Sequence, residues 1–202
     1  MPQIKPRVLL AFDPGKSWDP EKETGSFAYA VMVDGKIIQH GLLIPLVSVS
    51  DMDQPAVEFL VRIKALVAQF APDMVLYELF QDRGGASKGT TGMCINAMMG
   101  LIAGELLQSG RHLVTVSPSL WKTWLTRTHG IGKKEPVKNL FEHFRATVPA
   151  RVNQKGKANR AKRMVVHEGD AIGIALWAYQ TKYQGQVDLA NLLDLDAKRV
   201  IN

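Results

Sequence analysis

One stretch decides the fold: Val8-Leu9-Leu10-Ala11-Phe12, followed by Asp13-Pro14-Gly15. Five consecutive apolar residues predict a strand that is covered on both faces, and Asp-Pro-Gly predicts the turn that ends it. Residues 74–78 repeat this pattern as four apolar or aromatic residues and Glu78, and residues 54–70 before them have helical apolar spacing. This strand–helix–strand order predicts two parallel neighbours, with Asp13 and Glu78 at the same sheet edge.

The rest of the chain extends this sheet. Residues 26–33 and 36–44 are β-rich runs joined by Asp34-Gly35, which predicts a two-residue hairpin. Residues 112–116 predict a further buried strand. Helices are predicted over 92–108, from 118, over 135–147, over 167–179 and, as a short packing helix, near the C-terminal leucines. We therefore expect an α/β fold with a mixed five-stranded sheet and helices on both faces.

Composition narrows the function classes. The chain has 202 residues, of which 46% are hydrophobic and 22% charged, so disordered, collagen-like and disulfide-scaffold proteins are excluded. The single cysteine, Cys94, has no partner for an internal disulfide and favours a reducing compartment. The apolar runs are too short for a signal peptide or a bilayer span, so we expect a cytoplasmic protein with no membrane partner.

The formal charge of +6 is unevenly distributed. Residues 121–163 contain twelve basic and two acidic residues, a local charge of +10, and the remainder of the chain carries −4. Such a segment suits a phosphate-rich partner, and binding through it should weaken steeply with salt. The alternative is a solvated face with a mobile loop at about residues 149–163.

Acidic residues with an imidazole form a second signal. Asp13 and Glu78 end strands, and Asp170 lies near the start of the last long helix, three residues after His167. Converging carboxylates repel one another unless a cation lies between them, and oxygen ligands suit Mg²⁺ or Mn²⁺. Two such ions about 4 Å apart can hydrolyse a phosphodiester. Two of these residues also have a purely structural explanation. Asp13 could be a turn residue, and Asp170 could be an acid in the first turn of a helix, where the helix dipole favours it.

Three segments carry a resemblance to a known family. They are Phe12-Asp13-Pro14-Gly15 with Thr24-Gly25 after it, Tyr77-Glu78, and residues 167–175, which read His-Glu-Gly-Asp-Ala-Ile-Gly-Ile-Ala. In this order the set resembles the RuvC-type Holliday junction resolvases of the RNase H-like superfamily. Residues 16–23 and 149–163 make the chain longer than typical bacterial members of the family. In this respect it resembles phage or other divergent members. The resemblance therefore implies a protein of a bacterial or phage-infected cell.

The resemblance implies a single RNase H-like nuclease domain over residues 1–202, with a C-terminal tail at about 187–202. It implies a metal-dependent homodimer, paired through residues 92–108, that nicks a four-way junction with Mg²⁺ and leaves a 5′-phosphate. Its metal positions fall on Asp13, Glu78, His167 and Asp170. Residues 80–91 would lie beside the site as a loop that touches the junction.

Basic side chains complete the expected site. Lys122, with Lys133 or Lys134, would act at the scissile phosphate, which adds Lys122 and Lys134 to the catalytic set. The candidate DNA-binding residues lie either in the basic segment of residues 121–163 or in the loop beside the acidic site. The expected DNA-binding residues are Arg83, Lys88, Lys133, Lys134, Lys138, Lys155, Lys157, Arg160, Lys162 and Arg163.

Other readings compete with this one. Gly15-Lys16-Ser17 resembles the end of a P-loop, but Leu10 stands where that motif needs glycine, so no nucleotide cofactor is expected. The histidines lack zinc-ligand spacing. Trp18 is the candidate for an exposed aromatic that stacks on a base. Gly100 and Gly104 permit close helix approach, either within the fold or at a dimer seam. A branched-DNA-binding protein that does not cleave remains the alternative function.

Overall fold

The fold is seen in a computed structural model that describes residues 7–15, 18–19, 21, 24–46, 53–79, 86–129, 166–187 and 193–201. Eight strands occur in these residues. They are β1 (Val8–Asp13), β2 (Trp18–Asp19), β3 (Thr24–Gly25), β4 (Ala28–Val33), β5 (Lys36–Leu42), β6 (Met74–Glu78), β7 (His112–Val116) and β8 (Leu193–Ile201). The described helices are α1 (Asp53–Phe70), α2 (Ala86–Gln108), α3 (Pro118–His129) and α4 (Val166–Lys182).

Six of the strands form one mixed sheet in the order β7-β6-β1-β4-β5-β8. β1 pairs in parallel with β6 and antiparallel with β4, and β6 pairs in parallel with β7. The expected parallel neighbours β1 and β6 are therefore confirmed. The turn between β4 and β5 has φ values of 46° at Asp34 and 84° at Gly35, as the predicted two-residue hairpin requires.

Helices cover both faces of the sheet. Side chains alternate between faces along a strand, so Leu9 and Ala11 pack with α3 and α4, whereas Leu10 and Phe12 pack with α1 and α2. All four are fully buried or 1% exposed. The same alternation places Asp13, two residues beyond Ala11, on the face that α3 and α4 cover.

The sequence reading needs three corrections. The predicted C-terminal packing helix is wrong, because Leu193–Ile201 form β8 and pair in parallel with β5, which adds a sixth strand to the five predicted ones. The predicted loop over 80–91 is too long, because α2 begins at Ala86. Trp18 is half-buried and packs edge-on against Phe59, with ring centroids 5.5 Å apart, so it is no exposed stacking platform.

Two predicted elements lie outside the described residues, namely the helix over 135–147 and the loop over 149–163. The prediction of a single domain over residues 1–202 also includes such residues and stays a prediction. Within the described ranges, no helix is both long and apolar enough to cross a lipid bilayer.

Candidate metal site

The two strand-end acids are brought together by the β1–β6 ladder. Phe12 pairs with Tyr77, and Asp13 and Glu78 each follow one residue later. Glu78 is also the second residue after Leu76, which packs with α3 and α4. Strand alternation therefore directs both carboxylates to the same face, about one strand spacing of ~4.8 Å apart.

The third acid comes from α4, which packs across that face. Ligand oxygens of Asp13, Glu78 and Asp170 all lie within 4.8 Å of one another. Asp13 and Asp170 are each 6% exposed. Asp170 Oδ1 is buried and has no hydrogen-bond partner among the described residues. A buried carboxylate oxygen needs a partner, so this donor set fits a divalent cation with oxygen ligands.

His167 contacts the acidic cluster through Asp13. Its Nδ1 lies 2.6 Å from Asp13 Oδ2, and its side chain is 43% exposed. The group of mutually close ligand atoms contains the three carboxylates and not this histidine. His167 therefore lies at the rim of the cluster in contact with Asp13, and its role as a metal ligand stays a prediction.

Lys122 enters the cluster from α3. Its Nζ donates to Asp170 Oδ2 at 3.0 Å and lies 4.0 Å from Glu78 Oε2. The side chain is 29% exposed, so Lys122 lies at the solvent-facing side of the cluster. The expected basic partner of the acidic site is thus placed between two of the three carboxylates, where it offsets part of their charge.

Burial and mutual repulsion change the acidity of the cluster. Burial and the charge of Asp13 raise the pKa of Asp170 to about 7, although Lys122 opposes the shift. Burial raises the pKa of Asp13 and of Glu78, and Asp13 raises that of Glu78 further. The hydrogen bond to Asp13 raises the pKa of His167. A group of buried carboxyls with raised pKa values is typical of a metal or catalytic site.

The sequence missed two contacts here. The Trp121 indole Nε1 donates to Glu78 Oε2 at 2.6 Å, although Trp121 was not among the expected site residues. Its position directly before Lys122 was the available signal. Glu168 is fully buried and lies 3.0 Å from His40 Nδ1 on β5, away from the cluster. No spacing pattern linked these last two residues, which are 128 positions apart.

The other expected site residues are not placed. Lys134 and the other lysines and arginines of residues 130–165, together with Arg83, lie outside the described residues. Lys88 belongs to α2, but its side chain is not described. Among the described residues, the structure thus brings together Asp13, Glu78, Asp170, Lys122 and His167.

Similar proteins are found by structure and not by sequence. No protein-family model matches the chain, and no curated protein matches it in sequence. RuvC of Thermus thermophilus in complex with a Holliday junction substrate superposes with a TM-score of 0.56 at 13% identity, covering 89% of this chain and 96% of RuvC. A second Thermus thermophilus RuvC structure gives 0.51 at 18% identity, with 88% and 97% covered. The yeast mitochondrial Holliday junction resolvase Ydc2 gives 0.49 at 13% identity, with 87% and 82% covered.

These matches establish the fold. The chain has the RuvC-like, RNase H-like architecture over most of its length, as the sequence resemblance predicts. The similarity concerns the fold, and a fold alone does not assign an activity.

Proposed function

We propose that the protein is a metal-dependent, structure-selective endodeoxyribonuclease that nicks four-way or related branched DNA junctions by phosphodiester hydrolysis. One observation carries the proposal: three buried or half-buried carboxylates from β1, β6 and α4 converge within 4.8 Å at the edge of a RuvC-like sheet. A site of this kind has little use in a protein that only binds DNA, because buried carboxylates without a cation are costly and repel a phosphate.

The carboxylates of Asp13, Glu78 and Asp170 would hold Mg²⁺ or Mn²⁺, with His167 as a further ligand beside Asp13. A bound pair of such ions supplies activation of the attacking water and stabilisation of charge on the leaving oxygen. The protein's own contribution is to hold the three carboxylates on rigid elements, two strand ends and a helix, so that little reorganisation is needed when DNA binds.

Lys122 would act on the DNA. Its ammonium contacts Asp170, and its side chain is partly exposed. The ammonium would donate to a phosphate oxygen of bound DNA and would stabilise the charge that builds up there. Lys134, or Lys133 beside it, is proposed to assist at the same phosphate.

Cleavage of a labelled four-way junction tests the proposal. We expect nicks with 5′-phosphate ends in Mg²⁺ or Mn²⁺ and none in EDTA, with junctions preferred over linear duplex. Binding of the junction without cutting in any divalent metal would contradict the nuclease and leave the non-cleaving DNA-binding protein.

Substituting Lys122 with methionine is expected to reduce the cleavage rate about 100-fold, because removing one donor to developing charge typically costs that much. Methionine keeps the length of the stem without the ammonium. Lys36→Met is the matched control, because Lys36 is exposed at the start of β5, and its partner Val33 pairs with Val8 at the opposite end of β1 from Asp13. Single-turnover rates at saturating protein separate chemistry from binding. Equal rates for the two variants would remove Lys122 from the reaction.

Neutralising the basic segment is expected to change the salt dependence of binding. Each phosphate contact contributes about −0.9 to the slope of log K against log salt, so losing five would make the slope shallower by about 4.5. The variant replaces with glutamine the five residues Lys155, Lys157, Arg160, Lys162 and Arg163. Fluorescence anisotropy with a junction at several salt concentrations measures the slope. An unchanged slope would show that this segment is only solvated surface.

We propose that the protein is a homodimer that pairs through α1 and α2. Their outer surfaces expose apolar side chains, with Val61 61% and Leu101 65% exposed. A Cβ atom added at Gly100 or Gly104 would meet nothing within 4 Å, so these glycines do not serve packing inside the described fold. A groove of about 510 Å³ lies between the two helices and is lined mostly by apolar residues. Exposed apolar surface of this kind is typical of a protein interface.

Leu101→Lys is expected to weaken the dimer at least about 100-fold, because burying an unpaired charge in place of a leucine costs ~3 kcal/mol or more. The control is Leu120→Lys, which introduces the same charge at a 51% exposed leucine of α3, on the opposite face of the sheet. Sedimentation velocity over a range of protein concentrations measures the dimer dissociation constant of the wild type and of both variants. A monomeric wild-type protein would contradict the proposed dimer.

A further inference from the structure

The side chain of Trp121 connects the elements that carry two of the three acids. It is fully buried and is the largest of the fully buried side chains in the described chain. An indole N–H is a donor with no acceptor capacity, and a buried indole normally finds a partner. Here the partner is a carboxylate of the candidate metal site, Glu78 Oε2 at 2.6 Å.

That hydrogen bond restricts the Glu78 side chain. Glutamate has three side-chain torsions, so a carboxylate at a strand end samples many positions unless something fixes it. The indole fixes Oε2 from within the core, and Lys122 Nζ, 4.0 Å from the same oxygen, approaches it from α3. Donation to one oxygen also favours the charged form and lowers the pKa of Glu78, against the larger effect of burial that raises it.

The position of the ring is itself set by α4. A Cβ atom at residue 173 would lie 2.5 Å from Cζ3 of Trp121, so only glycine allows the indole to pack this close to the helix. Gly173 is three residues after Asp170, one helical turn along the same helix. The ring thus contacts the helix that carries Asp170, while its N–H holds Glu78.

We propose that Trp121 is a positioning residue, which holds the Glu78 carboxylate at the distance from Asp170 that a bound divalent cation requires. The inference deepens the proposed function and rests on it. Hydrogen-bonding partners of metal ligands typically change metal affinity 10- to 100-fold when they are removed. The indole would have this effect without touching metal or DNA.

Trp121→Phe tests the inference, because phenylalanine keeps an aromatic ring in the core and removes the N–H. The matched control is Trp177→Phe, a 6% exposed tryptophan on α4 that packs in the same hydrophobic cluster. Isothermal titration with Mn²⁺ alone measures metal affinity without any cleavage assay. We expect Trp121→Phe to weaken Mn²⁺ binding 10- to 100-fold, and Trp177→Phe to leave it near wild type.

Kinetics separate positioning from general damage. For Trp121→Phe we expect the Mg²⁺ concentration for half-maximal cleavage to rise by the same factor as the Mn²⁺ dissociation constant, and the KM for the junction to stay unchanged. Equal Mn²⁺ affinity in Trp121→Phe and wild type would overturn the inference. Failure of the wild-type protein to bind Mn²⁺ would instead overturn the proposed metal site.

A measurement on the wild-type protein covers the case in which Trp121→Phe does not fold. The chain has four tryptophans, so a ¹⁵N-tryptophan spectrum has four indole N–H signals that can be assigned individually. We expect Mg²⁺ addition to shift the Trp121 signal most, and Glu78→Gln to shift it in the absence of metal. If the Trp121 indole N–H signal shifts neither on Mg²⁺ addition nor in Glu78→Gln, the inference is overturned.

Discussion

Asp13→Asn is expected to lower the rate of junction cleavage at least about 1,000-fold, because metal-assisted charge stabilisation is worth several kcal/mol. Asparagine keeps the shape of the side chain and can still face His167, but it removes one of three negative charges from the cluster. Asp13 is the last residue of β1, and asparagine fills the same space there. Affinity for the junction should stay close to wild type.

The comparison needs a control with the same chemical change. Asp34→Asn replaces an aspartate of the β4–β5 turn, and asparagine tolerates the positive φ of 46° found there. Cleavage is measured in single turnover with Mg²⁺, and binding is measured separately in EDTA by anisotropy. If Asp13→Asn cleaves at the rate of Asp34→Asn, Asp13 has no part in the reaction.

Asp170→Asn is expected to stabilise the metal-free protein at pH 8. Burial and Asp13 raise the pKa of Asp170 from 3.8 to about 7 in the folded protein. The folded state therefore favours the protonated form, and the associated stability is fully present below pH 4 and lost as pH rises through 7. This difference corresponds to about 4 kcal/mol and already includes the contact with Lys122. Burying the amide group of asparagine in place of the carboxyl group costs about 1 to 2 kcal/mol.

The net gain of about 2 kcal/mol corresponds to an increase in melting temperature of about 4–8 °C for a chain of this length. Thermal unfolding in EDTA at pH 5 and pH 8 measures it, with Asp34→Asn as the control. We expect a clear increase at pH 8 and a smaller one at pH 5. Mg²⁺ should raise the melting temperature of the wild type and have little effect on Asp170→Asn. A lower melting temperature for Asp170→Asn at both pH values would show that Asp170 stabilises the fold rather than a metal.

The sheet could be predicted wherever local patterns decide it. The apolar runs at β1, β6 and β7 and the Asp34-Gly35 turn each carry their own signal, and the structure confirms them. β8 carries a weaker one: residues 193–197, Leu-Asp-Leu-Asp-Ala, alternate apolar and charged residues, but Lys-Arg-Val-Ile after them break the alternation. Its strand conformation is supplied by pairing with β5, which is a tertiary effect that propensity does not capture.

The acidic cluster was predictable for a different reason. Strand ends and helix starts fix where Asp13, Glu78 and Asp170 emerge, so topology alone brings them to one edge. The contact of Trp121 with Glu78 depends on a rotamer and on the missing side chain at Gly173, and neither is visible in a pattern of residue types. For the same reason, the rim position of His167 beside Asp13 followed only from coordinates.

The pairing of β5 with β8 has a consequence for how the chain folds. His40 pairs with Arg199, so this part of the ladder joins residues that are separated by most of the sequence. Contacts of such high sequence separation form late and slow folding. During synthesis the edge of β5 stays unpaired until residues 193–201 have been made. An unpaired strand edge can form hydrogen bonds with another chain and so promote aggregation. Asp170 also emerges long after Asp13 and Glu78, so the nascent chain has no complete acidic cluster until α4 has been made.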